Sequence, residues 1–225
     1  MKTVAVIPAY NEQGRIGAAV ADAALFCDAV VVVDDCSKDA SGVEAQEAGA
    51  FVLRHEINRG QGAALQTGTD YALHALHADI IVHFDADGQM QGKDIPEMVK
   101  PIENDEADIV LGSRFLGEKA NMPLSRRLIL KAGIIFTMVL SGIRVSDTHN
   151  GFRALSRKAA EVMRITLDRM AHASEILDLI KVRDLRYAEV PVKIHYSEET
   201  LEKGQSSLGA LTIVKDILKG KFFDL

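Results

Sequence analysis

Short β-branched runs alternate with stretches of helix length through the first half of the chain, and this rhythm narrows the fold more than any other feature. Residues 3–7, 29–33, 51–54, 79–84 and 108–111 read as strands, and residues 12–26, 40–48, 62–75 and 95–100 between them read as helices. Parallel neighbours need a crossover, usually a helix. The alternation therefore predicts an α/β fold with a mostly parallel central sheet flanked by helices. Val30-Val31-Val32-Val33 shows no polar alternation, which suits a strand covered on both faces. Ser37-Lys38-Asp39-Ala40-Ser41 offers N-cap candidates for the second helix.

From Pro123 onward the rhythm changes. Residues 124–143 read as one long helix with Ser125 as its cap, residues 157–164 and 174–182 as shorter helices, 185–194 as a strand and 208–219 as an amphipathic last helix. Repeats, low-complexity tracts and linkers are absent, so one domain over residues 1–225 is expected.

Composition excludes several classes. With 225 residues, 48% of them hydrophobic, the chain can bury a substantial core and is not disordered. There are 26 basic and 32 acidic side chains, a formal charge of −6, which argues against a general nucleic-acid coat. Cys27 and Cys36 are the two cysteines, too few for a disulfide scaffold and in keeping with a reducing compartment. Residues 3–7 are too short for a signal-peptide core and stop at Pro8. The longest apolar stretch, residues 128–143, contains Lys131 and falls short of the ~20 residues a bilayer crossing takes. A cytoplasmic protein is expected, soluble or held peripherally at the cytoplasmic face of a membrane by its own surface or by a separate membrane subunit.

Ligands of open parallel sheets bind beyond the carboxyl ends of the strands, and the unusual residues gather there. Pro8-Ala9-Tyr10-Asn11-Glu12 follows the first strand, Asp34-Asp35-Cys36-Ser37 the second, Asp85-Ala86-Asp87-Gly88-Gln89 the fourth and Gly112-Ser113-Arg114 the fifth. Asp85 and Asp87 can converge on a hard cation such as Mg²⁺ or Mn²⁺; the alternative is an acidic turn. A calcium loop would need Glu where Pro96 stands. Asp34 and Asp35 can cap a helix or accept from a nucleobase or ribose. Asn58-Arg59-Gly60-Gln61-Gly62-Ala63-Ala64 allows close backbone approach at a helix start but is neither a Walker loop nor a dinucleotide fingerprint. Arg114, Arg126, Arg127 and Arg153 can hold phosphate or make surface ion pairs. His149, His172, His195 and Glu175 have both catalytic and structural readings.

Taken in order, Ile7-Pro8-Ala9-Tyr10-Asn11-Glu12, Val33-Asp34-Asp35-Cys36-Ser37, Asp85-Ala86-Asp87-Gly88-Gln89, Gly112-Ser113-Arg114-Phe115 and Gly151-Phe152-Arg153 resemble glycosyltransferase family 2, the inverting class with the GT-A fold. Within it they resemble the dolichyl- and polyprenyl-phosphate mannosyl- and glucosyltransferases. The resemblance implies a nucleotide and metal half over about residues 1–115 and an acceptor half over about 116–225. It implies donor contacts at Pro8, Ala9, Tyr10, Glu12, Val33, Asp35, Gly62, Asp85 and Ala86. Asp85, Asp87 and Gln89 would be ligands to Mg²⁺ or Mn²⁺, and Arg114, Arg126, Arg153 and Lys203 would contact phosphate or acceptor. The basic pair that these enzymes often carry after the Glu-Val-Pro strand is replaced here by His195, Tyr196 and an acidic run, with Lys203 arriving later.

The implied reaction is transfer of a sugar from a nucleoside-diphosphate sugar, GDP-mannose or UDP-glucose in kind, to a polyprenyl phosphate or a glycan. Asp87 and Arg114 would act at the reacting centre. A lipid phosphate oxygen needs no strong base, whereas a saccharide hydroxyl would use one, with Asp147 and Glu175 as candidates. A sugar-1-phosphate nucleotidyltransferase is the more distant alternative, since Ala9-Tyr10-Asn11-Glu12 stands where its glycine-rich basic loop would be; a sugar-nucleotide sensor is another.

Overall fold

The computed structural model describes residues 1–116, 142–148, 150–166 and 172–193. Its strands are β1 (Thr3–Ala9), β2 (Ala29–Asp34), β3 (Phe51–Arg54), β4 (Ile80–His83), β5 (Ile109–Ser113), β6 (Arg153–Ser156) and β7 (Tyr187–Pro191). Its helices are α1 (Ile16–Ala24), α2 (Ser41–Glu47), α3 (Gln61–His74), α4 (Ile95–Glu103), α5 (Arg157–Val162) and α6 (His172–Val182). Of the long helix expected over residues 124–143 only Gly142 and Ile143 are described, and neither is helical, Gly142 standing at positive φ; the last helix over 208–219, Arg126, Arg127, His149, His195 and Lys203 lie outside the described residues.

The strands form one mixed sheet in the order β3-β2-β1-β4-β6-β5-β7. β1 pairs in parallel with β2 and β4, β2 with β3, and β5 with β7. Alternate side chains point to opposite faces. Ala5, Ile7, Val30, Val32, Ile80 and Val82 meet α1 and α4 on one side. Val4, Val6, Val31, Val33 and Ile81 meet α3, α5 and α6 on the other. Both faces are covered, which is why the central strands are continuously apolar; burying each Val or Ile is worth ~1.5–3 kcal/mol.

β6 is the departure from the expected alternation. It runs antiparallel between β4 and β5, with Arg153 opposite both His83 and Leu111. An antiparallel strand begins where its parallel-running neighbours end, so Arg153 and the residues before it are delivered to the same sheet edge as Asp85 and Arg114. Phe84 and Phe152, next to Asp85 and Arg153, are buried edge to face with centroids 5.6 Å apart.

A second departure is the late start of α1. The backbone N–H groups of Asn11, Glu12, Gln13 and Gly14 donate to the side chains of Ser37, Ser41, Asp39 and Glu44, at 3.0, 2.7, 3.2 and 2.6 Å. Side chains from the β2–α2 region thus hold residues 11–14 as a loop, with Asn11 and Gly14 at positive φ, and the helix begins only at Ile16. At the opposite sheet edge buried Asp108 joins β5 to the start of β7 through Arg186. Burial pushes its carboxyl up, but hydrogen bonds from Arg186 and Lys158 outweigh this and hold it at about 2.

α3 reaches the sheet through Gly68. A Cβ built there would lie 2.3 Å from Val6 Cγ1 and 3.1 Å from Val33 Cγ2. Gly68→Ala should destabilise the fold by ~1–3 kcal/mol through overpacking, less the ~1 kcal/mol by which Ala favours a helix. Chemical denaturation checks the sign: the midpoint should fall.

Candidate functional site

A cleft of about 690 Å³ opens at the carboxyl ends of β1, β2 and β4, bordered by Pro8, Ala9, Tyr10, Glu12, Asp35, Asn58, Gly60, Gln61, Ala64, Asp85, Ala86 and Asp87. Eight of the residues expected from the sequence to meet a donor or metal are here: Pro8, Ala9, Tyr10, Glu12, Asp35, Asp85, Ala86 and Asp87. Val33 does not reach the cleft, because its side chain is buried in the core against α3. Gly62 is buried at the second position of α3, and Gly60, Gln61 and Ala64 border the cleft in its place.

The adjacent acids Asp34 and Asp35 have different jobs. Asp34 is fully buried, accepts from Ser37 N at 2.8 Å and pairs with Arg54 at 2.7 Å, so it shapes the strand-end turn and is not a ligand group. Asp35 lies at the cleft, where Arg59 N and Gly60 N donate to its two oxygens at 2.9 and 2.6 Å. Gly60 has φ 87 and ψ 165, a conformation open to glycine and costly for a residue with Cβ, so the Gly60 N–H can reach the carboxylate only there.

Asp85 accepts from Gln61 Nε2 at 3.0 Å. Burial first, then the Asp87 and Glu12 charges, push its carboxyl up to about 6 against the opposing pull of Arg153 and Gln61. Gly151 packs directly on it: an added Cβ would stand 2.6 Å from Asp85 Oδ2. Asp87 takes both the backbone N–H and the side-chain amide of Gln89, at 3.0 and 2.7 Å. Gln89 is thereby turned with its amide nitrogen to Asp87, which leaves its Oε1 as an oxygen donor beside that carboxylate. The Asp85 carboxyl, raised in part by the charge of Asp87, and Asp87 beside it are oxygen donors that fit a hard divalent ion. Among the described residues no group of three or more His, Cys, Asp or Glu side chains is arranged to hold a metal.

Arg114 and Asp147 form a fork, with Arg114 Nε and Nη2 at 2.6 and 2.8 Å from the two carboxylate oxygens and Arg114 N at 3.1 Å. Both oxygens of the buried Asp147 carboxylate are thus engaged by the Arg114 guanidinium, a bidentate geometry that fixes the direction of Arg114. Glu175 accepts from the backbone and hydroxyl of Thr166, at 2.8 and 2.6 Å, and does not border the cleft. Arg153 is buried; desolvation lowers its guanidinium to about 10 while Asp85 and Asp147 act to raise it. The cation therefore sits between the acids of both strings. Beneath it, His83 is driven to about 3 by burial, with the Arg153 and His172 charges adding to the effect, and its Nε2 meets Thr69 at 3.1 Å.

Residues 4–164 match the family model described as glycosyl transferase family 2. The chain is 34% identical over 245 residues to a UDP-N-acetylglucosamine–dolichyl-phosphate N-acetylglucosaminyltransferase of Methanococcus voltae, covering 97% of each chain. It is 32% identical over 168 residues to an undecaprenyl-phosphate mannosyltransferase of Micrococcus luteus, covering 68% of this chain and 66% of that one. Among solved structures, glucosyl-3-phosphoglycerate synthase from Mycobacterium tuberculosis in complex with Mn²⁺, UDP-glucose and phosphoglyceric acid superposes with a TM-score of 0.65 at 21% identity, over 95% of this chain and 78% of that one. That likeness shows the fold.

The raised Asp85 carboxyl makes stability depend on pH. The folded state holds this proton more tightly than the unfolded chain, so stability falls as pH rises from about 4 to about 6 and is level above. Asp85→Asn never ionises. In chelator it should melt above the unsubstituted protein at pH 8, with the gap closing towards pH 4; thermal melts across that range check this.

Proposed function

The chain belongs to glycosyl transferase family 2, and on that premise we propose that it moves a sugar from a nucleoside-diphosphate sugar, GDP-mannose or UDP-glucose in kind, to a polyprenyl or dolichyl phosphate. The observation that carries this reading is the shared sheet edge: the cleft with Asp35, Asp85 and Asp87 lies beside a buried Arg153 and the Arg114–Asp147 fork. The names of the M. voltae and M. luteus relatives supply the acceptor class.

Residues 1–225 act in this reading as one catalytic domain. Pro8, Ala9, Tyr10, Glu12 and Asp35 hold the nucleotide. Asp85 and Asp87 are the residues that would hold Mg²⁺ or Mn²⁺, which as a Lewis acid would stabilise charge on the leaving diphosphate. Gln89 fixes the direction of Asp87. Arg114, held by Asp147, presents a guanidinium to phosphate, and Arg153 balances the acids from below. An acceptor phosphate oxygen attacks the anomeric carbon as the bond to the diphosphate breaks on the opposite face, with inversion. That oxygen is already ionised near neutral pH, so no base is required, in keeping with Asp147 being committed to Arg114 and Glu175 to Thr166. Among the described residues no helix is long and apolar enough to cross a membrane. Contact with a lipid acceptor would be peripheral, at the cytoplasmic face, or arranged by a separate membrane subunit.

A panel of UDP- and GDP-sugars with a short polyprenyl phosphate and Mg²⁺ or Mn²⁺ should give a sugar-charged lipid with at least one donor. Transfer to a free saccharide with none to the lipid would overturn the acceptor assignment. Asp87→Ala should lower turnover by ~10²–10³-fold. Asp147→Asn should lower kcat/KM for the acceptor by ~10–10²-fold and leave the shape of its pH profile unchanged, whereas loss of a general base would remove the acidic limb.

A further inference from the structure

We propose that His55, anchored by Thr67, is a positioning residue for donor binding, holding Asp35 and the residue 58–60 loop in the geometry that receives the donor's nucleoside. The assignment rests on the donor half of the function proposed above and is independent of the acceptor. His55 follows β3 directly and is buried, and its Nδ1 lies 2.7 Å from Asp35 Oδ1. Its Nε2 lies 3.0 Å from Thr67 Oγ1 on α3. A carboxylate only accepts, so Nδ1 carries a proton and donates to Asp35, while Nε2 shares a hydrogen bond with the Thr67 hydroxyl.

The imidazole therefore ties three elements together: the end of β2 through Asp35, the end of β3 through its own backbone, and α3 through Thr67. Its backbone N–H donates to Asp34 O at 2.9 Å, which fixes the ring at the strand end. Asp35 in turn accepts from Arg59 N and Gly60 N, so the loop entering α3 is held by the same carboxylate that His55 orients. His55 itself does not border the cleft; Asp35, Asn58, Gly60 and Gln61 do. Without the imidazole, Asp35 keeps only backbone donors, all from the loop it is meant to hold, and both can swing together. The expected consequence is a donor site that still forms but is less well organised before the ligand arrives, which weakens binding more than it slows the chemical step.

The test measures UDP and GDP binding to the full chain by calorimetry with Mg²⁺, and donor and acceptor KM with kcat. His55→Phe keeps the ring and removes both hydrogen bonds. It should weaken the better-bound nucleoside diphosphate ~10-fold or more, raise the donor KM to match, and leave the acceptor KM unchanged. His55→Asn, whose amide can donate from the Nδ1 position, should recover part of that loss, and Thr67→Val should lose a few-fold (~3-fold). If His55→Phe does not melt cooperatively, the Asn and Val variants carry the test. Binding by His55→Phe equal to that of the unsubstituted chain, or equal rises in both KM values, would overturn the assignment. Failure of the unsubstituted chain to bind either diphosphate would overturn the donor reading and this assignment with it; failure to use lipid phosphate would touch neither.

Discussion

The pairing of β6 between β4 and β5 is the constraint on which the rest of the site depends. Parallel strands bring only their carboxyl ends to one edge, and the segment preceding a parallel strand would lie at the far end of the sheet. By running the other way, β6 sets Arg153 opposite His83 and Leu111 and brings Asp147, Asn150 and Gly151 to the edge occupied by Asp85 and Arg114. The Phe84–Phe152 contact fastens the two functional strings to the core at the point where they enter the site. Gly151 shows how close this approach is, since any side chain there would strike the Asp85 carboxylate.

The same edge collects several buried or half-buried carboxylates, and they are handled differently because an uncompensated buried charge is costly. Asp34 is neutralised by Arg54 and serves the turn. Asp35 is satisfied by two backbone N–H groups and a histidine, which leaves its direction fixed. Asp147 is matched to a guanidinium fork. Asp85 and Asp87 remain the adjacent pair, and the Asp85 carboxyl is raised by burial first and by the Asp87 charge second.

Much of this was legible in the sequence. The β-branched runs located the parallel strands within a residue or two, and the acids at their ends located the edge where the cleft opens. Other features were hidden for identifiable reasons. Arg153-Ala154-Leu155-Ser156 has no β-branched residue to declare it a strand, and its direction is set by neighbours far away in sequence. Residues 12–15 carry a helix-like pattern, but Ser37, Asp39, Ser41 and Glu44 take the N–H groups such a helix would leave at its start. Gly62 looked like the point of close approach because small residues surround it; the positive φ that singles out Gly60 depends on where Asp35 sits. His55 carried no signal beyond being a lone histidine.

The sequence by itself determined the fold class, the family and the residue types gathered at the sheet edge. These follow from short-range rules: side-chain alternation, helix period, turn chemistry, and strings whose members are neighbours in the chain. Only the tertiary structure decided what each polar group does there. Asp34 and Asp35 are adjacent in sequence yet answer to Arg54 on one side and to His55, Arg59 and Gly60 on the other, while Asp147 finds Arg114 across 33 residues. A carboxylate's role is set by the donors that reach it and by how much water is excluded around it, and both are properties of packing between elements, which no local pattern encodes.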